Sequence, residues 1–111
     1  MGDNRFYELT LNITGHVQGV NFRRFICDTA RELRLVGWVR NNDDETVAAI
    51  AQGGRASLEK LRDTCVQGPR SAQVTMVEDS WKEIPRLEFD RFQIIYYANP
   101  GIIGNWLNKF F

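Results

Sequence analysis

The chain has 111 residues and a mass of 12.8 kDa, which is the size of a single domain. Its 14 basic and 14 acidic residues give a formal net charge of zero, so it lacks the excess positive charge of a protein that binds nucleic acid through the phosphate backbone. The hydrophobic content of 43% excludes a disordered chain and is sufficient for a substantial core.

No part of the sequence predicts insertion into a membrane. The apolar runs are only a few residues long, whereas a membrane-spanning helix needs roughly 18. The polar segment Met1–Glu8 lacks the apolar core of a signal peptide, so we expect a cytoplasmic protein.

The two cysteines, Cys27 and Cys65, are too few and too far apart for a zinc site or a C-x-x-C redox pair. They could form one disulfide if the helices that carry them lie side by side. In a reducing compartment, free thiols packed in the core are favoured.

The first predicted elements are a strand and a helix. Apolar and polar residues alternate over Tyr7–Ile13, which predicts a strand with one buried face that ends at Gly15. Over Phe22–Leu33 the apolar residues recur at helical spacing, and Asn21 stands where an N-cap belongs.

A hairpin and a second helix follow. The strands Leu35–Asn41 and Thr46–Gln52 are separated by four polar residues, 42–45, which predict the turn between them. A helix of about three turns is then expected up to Gly68-Pro69, where glycine favours a left-handed cap and proline cannot continue the helix.

Two further strands complete the predicted domain, residues 1–96. Val74, Met76 and Trp81 are assigned to the first of them, and Phe92, Ile94 and Tyr96 to the second. The first six of these elements follow the order βαββαβ, which predicts an α+β, ferredoxin-like sandwich, an antiparallel sheet with both helices on one face and the other face open or partly covered. RNA-recognition modules, metal chaperones and regulatory domains also use this fold, so function depends on particular residues.

The segment between the first strand and the first helix predicts an anion site. It contains Gly15, His16, Val17, Gln18, Gly19, Val20, Asn21, Phe22 and Arg23. Two glycines let the backbone curl so that its N–H groups converge, and the helix start adds a positive dipole end. The planar guanidinium of Arg23 can donate hydrogen bonds to two oxygens of a phosphate. In the alternative interpretation, the glycines only permit a short connection between strand and helix, and Arg23 is a solvated surface charge.

Two motifs carry a family resemblance. Gly15-x-Val17-Gln18-Gly19-Val20-x-Phe22-Arg23 resembles the signature of acylphosphatases, and Gly37-Trp38-Val39-Arg40-Asn41 is similar to their second motif. The resemblance covers roughly residues 5–96. It implies a ferredoxin-like fold and the metal-independent hydrolysis of acyl phosphates to carboxylate and orthophosphate, with no cofactor.

By position, the resemblance assigns phosphate binding to Arg23 and the loop amides, and orientation of the attacking water to Asn41. By composition alone, Asn41 would be a turn residue. Gln18 either donates to phosphate or pins the loop. His16 has no cysteine or carboxylate beside it, so a metal role is not expected.

Two features depart from the family pattern. The turn reads Asp43-Asp44-Glu45-Thr46 where the family commonly has Asp-Gly, which is expected to shift Asn41 slightly. The extension, residues 97–111, has six large apolar side chains within Ile102–Phe111, which predict packing on this domain or on a second copy as a homodimer.

Two other functions are retained as alternatives. The chain also resembles the N-terminal domain of hydrogenase-maturation carbamoyltransferases, which suggests a non-catalytic module that binds phosphate or carbamoyl phosphate. The second alternative is an interaction protein that acts through the apolar extension, residues 97–111. An RNA-binding module is disfavoured because Val47-Ala48-Ala49-Ile50 lacks the aromatic residues of such strands.

Overall fold

The computed structural model describes residues 4–96. The predicted packing of the extension, residues 97–111, therefore lies outside the described residues. In chain order the elements are β1 (Phe6–His16), α1 (Phe22–Glu32), β2 (Val36–Asn41), β3 (Val47–Gly53), α2 (Arg55–Gln67), β4 (Gln73–Ile84) and β5 (Phe92–Ile95).

The five strands form one sheet in the order β4-β1-β3-β2-β5. The α+β, ferredoxin-like fold is confirmed, with β5 as an additional edge strand. All neighbouring pairs are antiparallel except β2 and β5, which are parallel, so the sheet is mixed. The reason is the connection 85–91: it crosses from one edge of the sheet to the other, and β5 therefore begins at the same end as β2.

The main core lies between the helices and one face of the sheet. Alternate residues of β1 face it, because successive side chains of a strand point to opposite faces. The fully buried side chains of this core include Leu9, Leu11, Ile13, Ile26, Leu58 and Leu61.

The opposite face of the sheet is partly covered. Phe89, from the connection between β4 and β5, packs against Trp38 and Ile50. Gln52 fastens the same connection, because its Nε2 donates to Glu88 Oε1 at 2.8 Å and its Oε1 accepts from the Glu88 backbone N–H at 2.7 Å.

In β4 the alternation of buried residues is interrupted. Val74 and Val77 pack against the core, whereas Met76 is 50% exposed although it lies in the predicted strand. The register between β1 and β4 shifts between Thr14 and Gly15. Such a bulge changes which residues face the core, and this explains the exposure of Met76.

Both cysteines are free and buried, as favoured from the sequence. Burial raises the pKa of the Cys65 thiol to about 12. The pKa of Cys27 is also raised, mainly by burial, and its thiol lies 3.8 Å from the backbone oxygen of Phe92. Both side chains are therefore protonated near neutral pH and act as packing groups.

None of the helices within residues 4–96 has the length and apolar character needed to cross a membrane.

Candidate active site

The loop between β1 and α1 begins where two strands come unusually close. A side chain on Gly15 would place its Cβ only 2.1 Å from the backbone oxygen of Gln73 in β4, and Gly15 has φ of 139°. Only glycine fits this backbone position. The chain then curls through Gly19, with φ of 74°, and Asn21, with φ of 61°.

Asn21 occupies the N-cap position of α1, as predicted, but its side chain makes no capping hydrogen bond. An N-cap side chain usually reaches the helix amides from an extended backbone, whereas Asn21 is left-handed, with φ 61° and ψ 24°. The first N–H groups of α1 have no acceptor within the helix and lie directly after this turn.

Hydrogen bonds hold the loop on two sides. Gln18 Nε2 donates to the backbone oxygens of Asn42 at 2.8 Å and Thr46 at 2.9 Å, both in the turn between β2 and β3. On the other side, Ser71 Oγ donates to the backbone oxygen of Val20 at 2.9 Å. The loop is thereby fixed relative to the β2–β3 hairpin, and of the two roles considered for Gln18 the structure shows the pinning role.

Replacing Gln18 with methionine is expected to lower the free energy of unfolding by about 1–3 kcal/mol, because two backbone oxygens each lose one hydrogen bond and keep only a backbone donor. Urea denaturation measures this change as a lower transition midpoint. The control is Gln67→Met at the end of α2, where glutamine is exposed. Equal midpoints for the two variants would show that the Gln18 bonds contribute nothing to stability.

The β2–β3 hairpin brings Asn41 to the loop. Asn41 is the last residue of β2 and pairs in register with Val47, so the unusual turn sequence leaves it at the end of the strand. The turn is closed from Asn42 N–H to Thr46 O at 2.9 Å. Asp44 accepts hydrogen bonds from the hydroxyl and the backbone N–H of Thr46, and these lower the pKa of its carboxyl.

Arg23 and Asn41 line the same cavity, which has a volume of about 380 Å³. Its other lining residues are Val17, Gly19, Asn21, Phe22, Arg24, Ile94 and Tyr96. Of the remaining predicted loop residues, Gly15 permits the approach of β4, Gln18 and Val20 anchor the loop, and His16 is exposed.

The cavity is lined by positively charged side chains and by one buried acceptor that receives no hydrogen bond within residues 4–96. The guanidinium of Arg23 lies 4.9 Å from the centre of the Tyr96 ring, a cation–π contact that orients it. Asn41 Oδ1 is buried, and no group of residues 4–96 donates a hydrogen bond to it. The cavity lining contains no acidic side chain. An anion together with a hydrogen-bond donor would therefore complete it.

Three lining residues, Arg24, Ile94 and Tyr96, are absent from the predicted site. Ile94 and Tyr96 were assigned to the last strand, but Tyr96 follows the end of β5 and is 66% exposed. Because β5 runs parallel to β2, its carboxyl end lies beside Asn41. The alternation of Ile94 and Tyr96 predicted a strand, but the sequence did not indicate that this strand would lie beside β2.

The family model for acylphosphatase matches residues 9–94, which extend from within β1 to within β5. The chain belongs to the acylphosphatase family. Enzymes of this family hydrolyse acyl phosphates, so an acyl phosphate is the substrate class and orthophosphate is a product.

Individual proteins agree with this assignment. The chain is 48% identical over 71 residues to an acylphosphatase from Chloroflexus aurantiacus, an alignment that covers 64% of this chain and 77% of that protein. The crystal structure of acylphosphatase from Bacillus subtilis is 32% identical, with a TM-score of 0.76, and the match covers 81% of this chain and 99% of that chain.

A structure of full-length HypF in the phosphate- and nucleotide-bound form is also similar, with 25% identity and a TM-score of 0.73. The match covers 82% of this chain but only 12% of HypF, so the likeness concerns one part of a much larger protein.

Proposed function

We propose that Arg23 and the backbone amides of residues 15–23 hold the phosphoryl group of an acyl phosphate, while Asn41 orients the attacking water. One observation carries this proposal: Arg23 and Asn41, from different elements, line one cavity that contains no acidic side chain. The acylphosphatase activity follows from the family, and the proposal concerns how these residues perform it.

Phosphate binding is supported by charge and by preorganisation. Arg23 lies in the first turn of α1, where the helix dipole and the free N–H groups favour an anion. Its guanidinium is oriented by Tyr96, and the loop is anchored through Gln18 and Val20. Fixed donors of this kind stabilise the charge of a transferring phosphoryl group without reorganising during the reaction.

Asn41 supplies the group that a nucleophilic water needs. Its Oδ1 can accept a hydrogen bond from water, and its amide can donate to a phosphate oxygen. A buried acceptor without a donor costs about 1–3 kcal/mol, so a water molecule bound there offsets a penalty that the protein otherwise carries.

The reaction requires no strong base. The oxygen of water attacks phosphorus, and the bond between phosphorus and the acyl oxygen breaks. The carboxylate leaves with the electron pair, and the water protons remain with the phosphate as dihydrogen phosphate. Because the carboxylate is a good leaving group, positioning of water and phosphate supplies most of the catalysis.

Activity is expected to survive a chelator and to show a broad plateau around neutral pH. Within residues 4–96 no three His, Cys, Asp or Glu side chains are grouped to hold a metal ion. Neither a guanidinium nor an amide changes protonation near neutrality. Initial rates with and without chelator across pH test this expectation. Loss of activity that added metal restores would contradict it, and a steep inflection in the histidine range would implicate His16.

The direct test of the proposed function is turnover of benzoyl phosphate compared with a phosphate monoester. The purified protein is expected to hydrolyse the acyl phosphate and not the monoester, because the leaving group of a monoester is much poorer. Phosphate binding without turnover would instead favour the binding module suggested by the likeness to HypF.

We infer a cytoplasmic location, because Cys27 and Cys65 are free, buried thiols and free thiols are typical of proteins in a reducing compartment. Fractionation of cells that make the native protein tests this inference. Recovery in an extracytoplasmic fraction would contradict it.

A further inference from the structure

A second cavity adjoins the active-site cavity along the edge of the sheet. It has a volume of about 220 Å³ and lies between α1 and β5. Arg24, Ile94 and Tyr96 line both cavities, so the two are adjacent. The additional lining residues of the second cavity are Arg31, Arg91 and Gln93. Three of its six lining residues are therefore arginines, and none is acidic.

These arginines are mostly free of carboxylate partners. The Nε of Arg31 donates to the backbone oxygen of Phe92 at 3.0 Å, which fixes the guanidinium beside β5. No carboxylate of residues 4–96 forms a salt bridge with Arg31 or Arg91. Arg24 lies 3.9 Å from Asp28, but both side chains are more than half exposed, and such a pair neutralises little charge.

Acidic residues occur nearby. Glu88 and Asp90 line a third depression, which shares Arg91 and Gln93 with the second cavity, but neither carboxylate lines the second cavity. The second cavity itself therefore presents concentrated positive charge in a protein of zero net charge. Charge of one sign that lines a concave surface attracts anions of the opposite sign.

We propose that this arginine cavity binds a second anionic group carried by the acyl half of the substrate. The physiological substrate would then be an acyl phosphate whose acyl chain ends in a carboxylate or a phosphate. The proposal rests on the proposed function, because it takes the phosphoryl group to lie against Arg23 in the adjoining cavity.

The geometry of α1 sets the reach of such a substrate. Arg24 and Arg31 are seven residues apart, so they lie on the same face of the helix, about 10 Å apart along its axis. Arg24, next to the phosphoryl site, and Arg31, at the far end, could thus contact the two ends of one extended acyl chain. A chain of about six carbons suits this span better than an acetyl group.

The test compares two acyl phosphates of equal chain length, hexanoyl phosphate and adipoyl phosphate. They differ only in whether the far end is a methyl group or a carboxylate. The measured quantity is the ratio of kcat/KM for adipoyl phosphate to that for hexanoyl phosphate at low ionic strength. We expect a ratio of about ten for the unmodified protein, and a smaller ratio in concentrated salt, because ions screen exposed charges.

Substitutions then locate the preference. Arg91→Gln is expected to lower the ratio about threefold, and Arg91→Glu to abolish the preference, because a like charge repels the carboxylate. The control, Arg86→Gln, removes the same charge from an exposed arginine that lines neither cavity, and it should leave the ratio unchanged.

The outcomes separate the two proposals. Hydrolysis of both substrates with equal kcat/KM, or a preference that Arg91→Glu leaves intact, would overturn the second anion site alone. Failure to hydrolyse either acyl phosphate would overturn the proposed function, and the anion site with it.

Discussion

Substitution of Arg23 by lysine is expected to lower kcat by about 10²–10³, although the positive charge is retained. A guanidinium presents two parallel donors to two phosphate oxygens, whereas an ammonium is a point charge without that geometry. Removing one preorganised donor to a transition state typically has an effect of this size. Lysine also loses the planar contact with the Tyr96 ring, which lies 4.9 Å from the guanidinium. Steady-state kinetics with benzoyl phosphate measure the change.

The matched control for this variant is Arg55→Lys. Arg55 is in the first turn of the other helix, α2, where it pairs with Glu59 at 3.0 Å and lines neither cavity of the active-site region. Its replacement should leave kcat unchanged. Thermal unfolding of both variants checks that the fold persists. Near-normal turnover in Arg23→Lys would show that the arginine does not bind the transferring phosphoryl group as proposed.

Substitution of Asn41 by alanine is expected to lower kcat by a comparable factor, about 10²–10³, while inhibition by inorganic phosphate stays nearly unchanged. The reason is the proposed division of roles, in which Arg23 and the loop amides hold the phosphate and Asn41 contacts the water. The two measurements are kcat with benzoyl phosphate and the inhibition constant of orthophosphate.

A control for Asn41 is available on the neighbouring surface. Asn12 is a half-buried asparagine of β1 that does not line the cavity, so Asn12→Ala should leave both kinetic constants unchanged. Should phosphate inhibition weaken in parallel with kcat in Asn41→Ala, then Asn41 is a binding or structural residue, and the assignment of water orientation is wrong.

Much of the fold was readable from the sequence because it depends on local periodicity. The alternation over Tyr7–Ile13 and the helical spacing from Phe22 onward correspond to β1 and α1. The loop motif was equally local, because Gly15 and Arg23 belong to one continuous segment. Turn residues also marked the hairpin correctly, since polar residues 42–45 separate β2 from β3.

Other features depended on which strands became neighbours, and local pattern does not specify this. The bulge opposite Gly15 exposes Met76, although period-two alternation alone did not predict it. The left-handed backbone of Asn21 removed the expected side-chain cap, because a favourable residue type at a position does not fix its dihedral angles.

By itself, the sequence determined the strands, the helices and a contiguous loop suited to phosphate, because each depends on residues close together in the chain. Only the tertiary structure decided what faces that loop. The parallel pairing of β5 with β2 places Tyr96 against Arg23 and carries Arg91 to the same side as Arg31. The residues of these two pairs are 73 and 60 positions apart in the sequence. The reason is physical: which strand lies at a sheet edge is set by the packing of the whole domain and not by the residues of that strand alone.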